Sequence, residues 1–163
     1  MFMKIHFVSY GHAFRSRVAE AYLKYLLRKY KNIDISSSGI ILENDVNGPI
    51  AWYAMKILAQ HSLVPYMSLE PVKTSKEILN RSDSIIFCDS HSHEYSERKY
   101  GFTSKKYEVW NLGYIMPDKV ERGIDREHDL KIIKESEEIF TQIKENCRRI
   151  YNDLSVTDIP FEE

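Results

Sequence analysis

Between positions 9 and 16 the chain reads Ser9-Tyr10-Gly11-His12-Ala13-Phe14-Arg15-Ser16, and this octet holds the residues best suited to chemistry. An apolar run, Ile5-His6-Phe7-Val8, leads into it, and a helical pattern, Val18-Ala19-Glu20-Ala21-Tyr22-Leu23, leads out. A short loop between a strand and a helix aims backbone N–H groups at one point, at the positive end of the helix dipole. Such a loop is an anion site, and phosphate is its usual guest. Arg15 adds a planar fork that grips two oxygens of one anion. The whole octet is therefore the expected phosphate cradle.

The five-residue gap between Ser9 and Arg15, followed at once by Ser16, resembles the signature of the low-molecular-weight protein tyrosine phosphatases. That signature is a Cys, five residues, an Arg and a Ser at the end of the first strand. The resemblance spans residues 3–151 and is carried further by Ser37-Ser38-Gly39, by the segment 83–89 and by Met116-Pro117-Asp118. It implies hydrolysis of phosphomonoesters through a phospho-enzyme, without cofactor or metal. Position 9 holds the nucleophile in that scheme, Arg15 binds the phosphoryl oxygens and Asp118 is the general acid. Ser16 hydrogen-bonds the nucleophile, Ser37 and Ser38 buttress the loop, and Asp89 caps the next helix or braces neighbouring loops. The implied partner is a phosphate monoester or free phosphate, carried in one version by a phosphorylated protein.

This chain departs from the pattern at several positions. Ser9 replaces the Cys, His12 the usual Asn, Arg17 a Pro and Lys119 the Pro after the acid; Val120 and Glu121 stand where the family has aromatics. Two histories fit Ser9, a substitution made to trap a bound substrate or a natural pseudophosphatase, and the companion departures at His12, Arg17 and Lys119 favour natural divergence. A loop Arg and a helix end lower a thiol pKa enough to form a thiolate, but they cannot ionise a serine hydroxyl, which needs an adjacent base. His12 has two readings: a loop-shaping residue that accepts a left-handed backbone, or a base for Ser9, which would require a third group to orient it. Arg17 is either a charge near the mouth or a solvated helix residue.

The expectation is a site that binds phosphate and has lost hydrolysis. A phosphate-dependent binding module is the alternative from another class, and it uses the same cradle. Arsenate reduction ranks last, because it needs a Cys at position 9 and further thiols to relay a disulfide. His91, His93 and Glu94 suggest a metal site by type, but His91 and His93 would point apart on a helix, and a solvated helix start is the expected reading.

The elements that must position this site alternate between strand and helix. Lys4 to Val8, Ile33 to Ser36, Ser84 to Cys88 and Tyr107 to Leu112 read as strands; the run ending at Cys88 is apolar throughout, as in a strand buried on both faces. Arg15 to about Tyr30, Pro49 to His61, Ser75 to Asn80 and a final helix capped by Asp125 read as helices. This order predicts an α/β fold of three αβα layers around a central, mainly parallel four-stranded sheet. Ligands then bind at the carboxyl ends of the strands, where the Ser9 loop falls.

The 163 residues are enough for one domain, placed at 1–152 with a tail at 153–163. A net charge of −1 gives no bias toward nucleic acid or an acidic membrane surface. No apolar run has membrane-spanning length and no secretory signal is present, so the expected location is cytoplasmic. Cys88 and Cys147 have neither metal nor redox spacing and are expected to be small buried groups.

Overall fold

The computed structural model describes residues 3–42, 50–103, 106–115 and 126–156. Four strands, β1 (Met3–Ser9), β2 (Ile33–Gly39), β3 (Ser84–Phe87) and β4 (Lys106–Val109), form one sheet in the order β2-β1-β3-β4. All three pairings are parallel. The helices are α1 (Arg15–Leu26), α2 (Trp52–Gln60), α3 (Lys76–Arg81), α4 (Ser90–Tyr100) and α5 (Arg126–Val156), with one 3-10 turn at Val64–Tyr66.

Alternation along the central strands divides the core in two. Ile5 and Phe7 of β1, with Ile86 of β3, pack against α1, α2 and α5 through Val18, Leu23, Ile57, Phe140 and Ile143. Val8, Ile85 and Phe87 point the other way, onto Leu79 of α3 and Phe102. Successive side chains of a strand leave on opposite faces, so a sheet covered on both sides needs an apolar set on each. This is the expected three-layer α/β architecture with a fully parallel sheet.

Several boundaries differ from the sequence expectation. α1 ends at Leu26, four residues early: Leu27 leaves helical geometry and the Arg28 guanidinium donates to the Tyr25 carbonyl, which satisfies a terminal acceptor. α3 begins after Ser75, whose hydroxyl accepts from the Ile78 N–H at 3.2 Å. β4 is shorter than expected, although Trp110 N–H and Leu112 N–H still reach the Phe87 and Cys88 carbonyls. α5 runs to Val156, past Asp153, and Tyr151 and Leu154 lean on the core. The expected start of α2 at Pro49 and the Asp125 cap lie outside the described residues. Among the described residues no helix is long and apolar enough to cross a membrane.

Candidate active site

β1 runs directly into the loop. Its last residue, Ser9, is buried, and its hydroxyl lies 2.6 Å from the Ser16 hydroxyl in the first turn of α1. The loop then closes on the α1 N-terminus. Phe14, the N-cap residue, offers no side-chain acceptor, and no acidic residue occupies the first turn. A helix start normally satisfies its open N–H groups with a capping side chain. Here no N-cap side chain meets them, at the end where the dipole favours an anion.

Arg15 lies at this point and is only 5 % exposed. Its Nη1 is 2.8 Å from Asp89 Oδ2, an ion pair across the sheet edge. Among the described residues, no acceptor is aligned for a hydrogen bond from that nitrogen. The guanidinium is thus held by charge, with directional donor capacity to spare. Asp89 serves two elements at once, because its Oδ1 accepts from the Ser92 N–H at 2.7 Å and caps α4.

His12, not Gly11, is the left-handed residue of the loop, with φ of 53°. Gly11 has an ordinary φ, and a Cβ there would meet only the Ile41 carbonyl oxygen at 4.0 Å. Glycine is required instead at Gly39, where a Cβ would fall 2.6 Å from His12 Cβ and from His12 N. The end of β2 therefore presses directly on the loop. Ile40 N–H and Ile41 N–H extend the contact to the Ser9 and Tyr10 carbonyls, at 3.0 and 2.9 Å.

The His12 ring is fully occupied. Val72 N–H donates to Nδ1 at 2.8 Å, so the proton of the neutral ring sits on Nε2 and is given to the Ser37 hydroxyl at 2.7 Å. Ser37 passes its own proton to Glu20 Oε2 at 2.7 Å, an oxygen that also accepts from Ser68 at 2.9 Å. Burial above all, helped by Arg17 and His6, pushes the His12 pKa down to about 3. Neither ring nitrogen bonds Ser9. Ser37 thus meets the loop, but Ser38 does not: its hydroxyl joins His6 Nε2 and Thr74 beneath it, both at 2.7 Å.

Three features escaped sequence reasoning. Arg17 is neither at the mouth nor solvated: it is wholly buried and its Nη2 donates to the Ser68 carbonyl, beside Glu20 and Glu70. An arginine three positions into an amphipathic helix gives no local signal of burial. His6 is buried on β1, bonded on both nitrogens to Ser36 and Ser38, and burial pushes its pKa down to about 4. Its place in an apolar strand was the available hint. The third feature is aromatic. Tyr10 and Tyr114 meet edge to face at 6.1 Å, the Arg15 guanidinium lies 5.1 Å from the Tyr114 ring centre, and Tyr114 is 44 % exposed.

His93 is not solvated either, since its ring stacks on Tyr107 at 4.5 Å with Glu97 at 3.1 Å. Cys88 and Cys147 are buried, and burial pushes the Cys88 thiol up to about 12 and the Cys147 thiol well up. No group of metal-ligating residues forms among the described residues. Asp118, with Lys119, Val120 and Glu121, lies outside them.

No curated protein sequence matches the chain. Solved structures do, and the three that follow share its fold. The Drosophila arginine phosphatase is 23 % identical, with a TM-score of 0.70 over 96 % of this chain and 100 % of that one. The tyrosine phosphatase Wzb from Escherichia coli K30, in complex with sulphate, is 15 % identical, with a TM-score of 0.66 over 94 % and 99 %. YwlE arginine phosphatase, from Bacillus subtilis, as a mutant with a phosphorylated active-site serine, is 18 % identical, with a TM-score of 0.72 over 96 % and 98 %. A family model described as low molecular weight phosphotyrosine protein phosphatase matches residues 4–157, which is nearly the whole described fold, and the chain belongs to that family.

Proposed function

We propose that this protein binds the phosphate group of a phosphomonoester in the loop 9–16, with Ser9 at the nucleophile position, and that the serine arrests turnover. The observation that carries the reading is the α1 N-terminus. It has no capping side chain and no first-turn carboxylate, and it has a buried Arg15 with an unaligned Nη1. That is a cradle built for a dianion supplied from outside. Ser9, Arg15 and Asp118 form the catalytic set on this reading, with the backbone of Tyr10, Gly11, His12, Ala13 and Phe14 around the phosphoryl oxygens. Ser37 and Asp89 brace the loop and Arg15, and Ser38 acts one step further back through His6.

The arrest follows from proton accounting. The Ser9 hydroxyl touches Ser16, another hydroxyl, and His12 spends both nitrogens on Val72 and Ser37. A serine without a base is a poor nucleophile for an ester with a strong leaving-group bond. Two relatives, one in complex with sulphate and one with a phosphorylated active-site serine, support an anion-filled pocket of this kind. The phosphate-dependent binding module remains the second reading, favoured by the Tyr10–Tyr114 pair beside the cradle, which offers an aromatic wall to a phosphorylated partner.

The test is para-nitrophenyl phosphate hydrolysis by the chain and by Ser9→Cys, with phosphate binding followed by calorimetry. The expected result is turnover by Ser9→Cys alone. Phosphate binding with no turnover by either protein gives the binding-module reading. Measurable turnover by the unaltered chain refutes the arrest, and loss of phosphate binding refutes the cradle.

A further inference from the structure

We propose that the opposite edge of the sheet carries a second binding site, a small cavity that takes a free α-amino acid with a branched aliphatic side chain. The cavity shares no residue with the loop 9–16, so the inference is independent of the phosphate-binding reading.

The strands begin at this edge. Met3 opens β1, Ser84 opens β3 and Lys106 opens β4. Parallel pairing sets Ile5, Ser84 and Lys106 in one row across the sheet, and Phe7, Ile86 and Glu108 in the row two residues on. Residues two apart in a strand share a face. Both rows therefore look the same way, and α5 crosses over them with Arg149, Ile150, Asp153 and Leu154. Between sheet and helix lies a cavity of about 90 Å³. Ser84 keeps it open, because a short side chain in a core-facing row leaves room that a larger one would fill. The walls are apolar, from Ile5, Ile86, Ile150 and Leu154.

The rim is charged, and its four charges alternate in sign. Arg149 grips Glu108 through two hydrogen bonds, at 2.8 and 3.2 Å. Glu108 also accepts from Trp110 Nε1 at 3.2 Å, so the central pair is already engaged. Lys106 adds a positive charge on the Glu108 side, and Asp153 a negative one on the Arg149 side. Both outer residues are exposed, and among the described residues the side chain of neither forms an ion pair or hydrogen bond of its own.

This pattern selects a ligand class. A monocarboxylate answers Lys106 but faces Asp153; an amine answers Asp153 but faces Lys106; a neutral alcohol answers neither. A zwitterion answers both. An α-amino acid carries its two charges on the carbon that bears the side chain, as a mouth with one cation and one anion over an apolar floor requires. Size selects the side chain: an apolar cavity of about 150 Å³ takes benzene, so one of about 90 Å³ takes the smaller branched groups of valine or leucine.

The experiment titrates the full chain, labelled with nitrogen-15, with L-leucine and follows amide shifts by NMR. Isocaproate, isoamylamine and isoamyl alcohol are titrated in parallel, since they keep the branched chain and remove one or both charges. We expect L-leucine to shift the amides of Ile5, Ser84, Lys106 and Asp153, to leave residues 9–16 unmoved, and to bind about fivefold more tightly than any of the other three. Lys106→Gln and Asp153→Asn are surface changes that should each weaken L-leucine about fivefold and leave isoamyl alcohol unchanged. Ser84→Leu fills the cavity and should abolish binding; if that variant fails to fold, the two surface variants still decide. Absence of shifts with millimolar L-leucine overturns the proposal. So do shifts confined to residues 9–16, which assign the ligand to the cradle. Equal binding of all four compounds, or of L-leucine to the parent chain and a folded Ser84→Leu, overturns it as well.

Discussion

Lowering the pH from 7 to 5 should destabilise this protein by about 4 kcal/mol, and two histidines account for the loss. His6 and His12 are buried beneath the cradle with pKa values pushed down to about 4 and about 3, in both cases chiefly by burial. Their ordinary value in an unfolded chain is about 6.5. The folded state holds both rings neutral, so the unfolded state binds more protons wherever the pH lies between the folded and unfolded values. Stability is therefore complete above the unfolded value and falls as pH drops through this window. At pH 5 each unfolded imidazole gains about 2 kcal/mol from protonation, while neither folded ring titrates appreciably. The loss down to pH 5 thus depends on the unfolded value and hardly on how far each folded value is depressed. Urea unfolding in phosphate-free buffers at pH 7 and 5 measures it: with a slope of about 2 kcal/mol per molar, the midpoint should fall by about 2 M. His12→Asn should halve the difference, since asparagine tolerates the left-handed backbone and does not titrate. A difference below about 1 kcal/mol between the two pH values would refute the reasoning, because it would mean that the rings carry protons in the folded state.

Other consequences are equally concrete. Gly39→Ala forces a Cβ onto the His12 backbone nitrogen, so it should cost about 1–3 kcal/mol in urea unfolding and weaken phosphate binding, whereas Gly11→Ala should do much less. Asp89→Asn keeps the α4 cap but strips Arg15 of its counter-charge; it should lower stability by about 2 kcal/mol and enlarge the rise in melting temperature on adding phosphate. Glu20→Gln and Arg17→Met each leave a buried charge less well matched, so each should cost about 3 kcal/mol. The double variant should cost less than the sum, as read from a double-mutant cycle.

The architecture was legible because its signals are local. Alternating apolar strands and amphipathic helices name a parallel sheet with helices on both faces, and the strand-loop-helix octet places the cradle at its carboxyl edge. The pairing of Ser9 with Ser16 was also implied by their positions in the family signature, and the structure sets them 2.6 Å apart. Element ends were less legible: Tyr30 and Leu112 have the right residue types for their expected elements, but α1 stops where the chain must turn to pair Ile33 beside Met3. The left-handed backbone at His12 was legible as its loop-shaping reading, and the structure gives it φ of 53°, with Ser37 and Val72 holding its ring from outside the loop.

What the sequence determined by itself is the chemical proposition: a phosphate loop, an arginine, and a serine in place of a thiol. What only the tertiary structure decided is the protonation and burial around it. Whether His12 is a base or a strut, whether Arg17 meets solvent or Ser68, and which aromatics flank the mouth depend on contacts between residues as far apart as Arg17 and Ser68, or Tyr10 and Tyr114. A pKa or a hydrogen-bond partner belongs to the packed environment and not to the residue. No spacing rule in the sequence encodes that environment before the β2 end, the 68–74 segment and α1 are brought together.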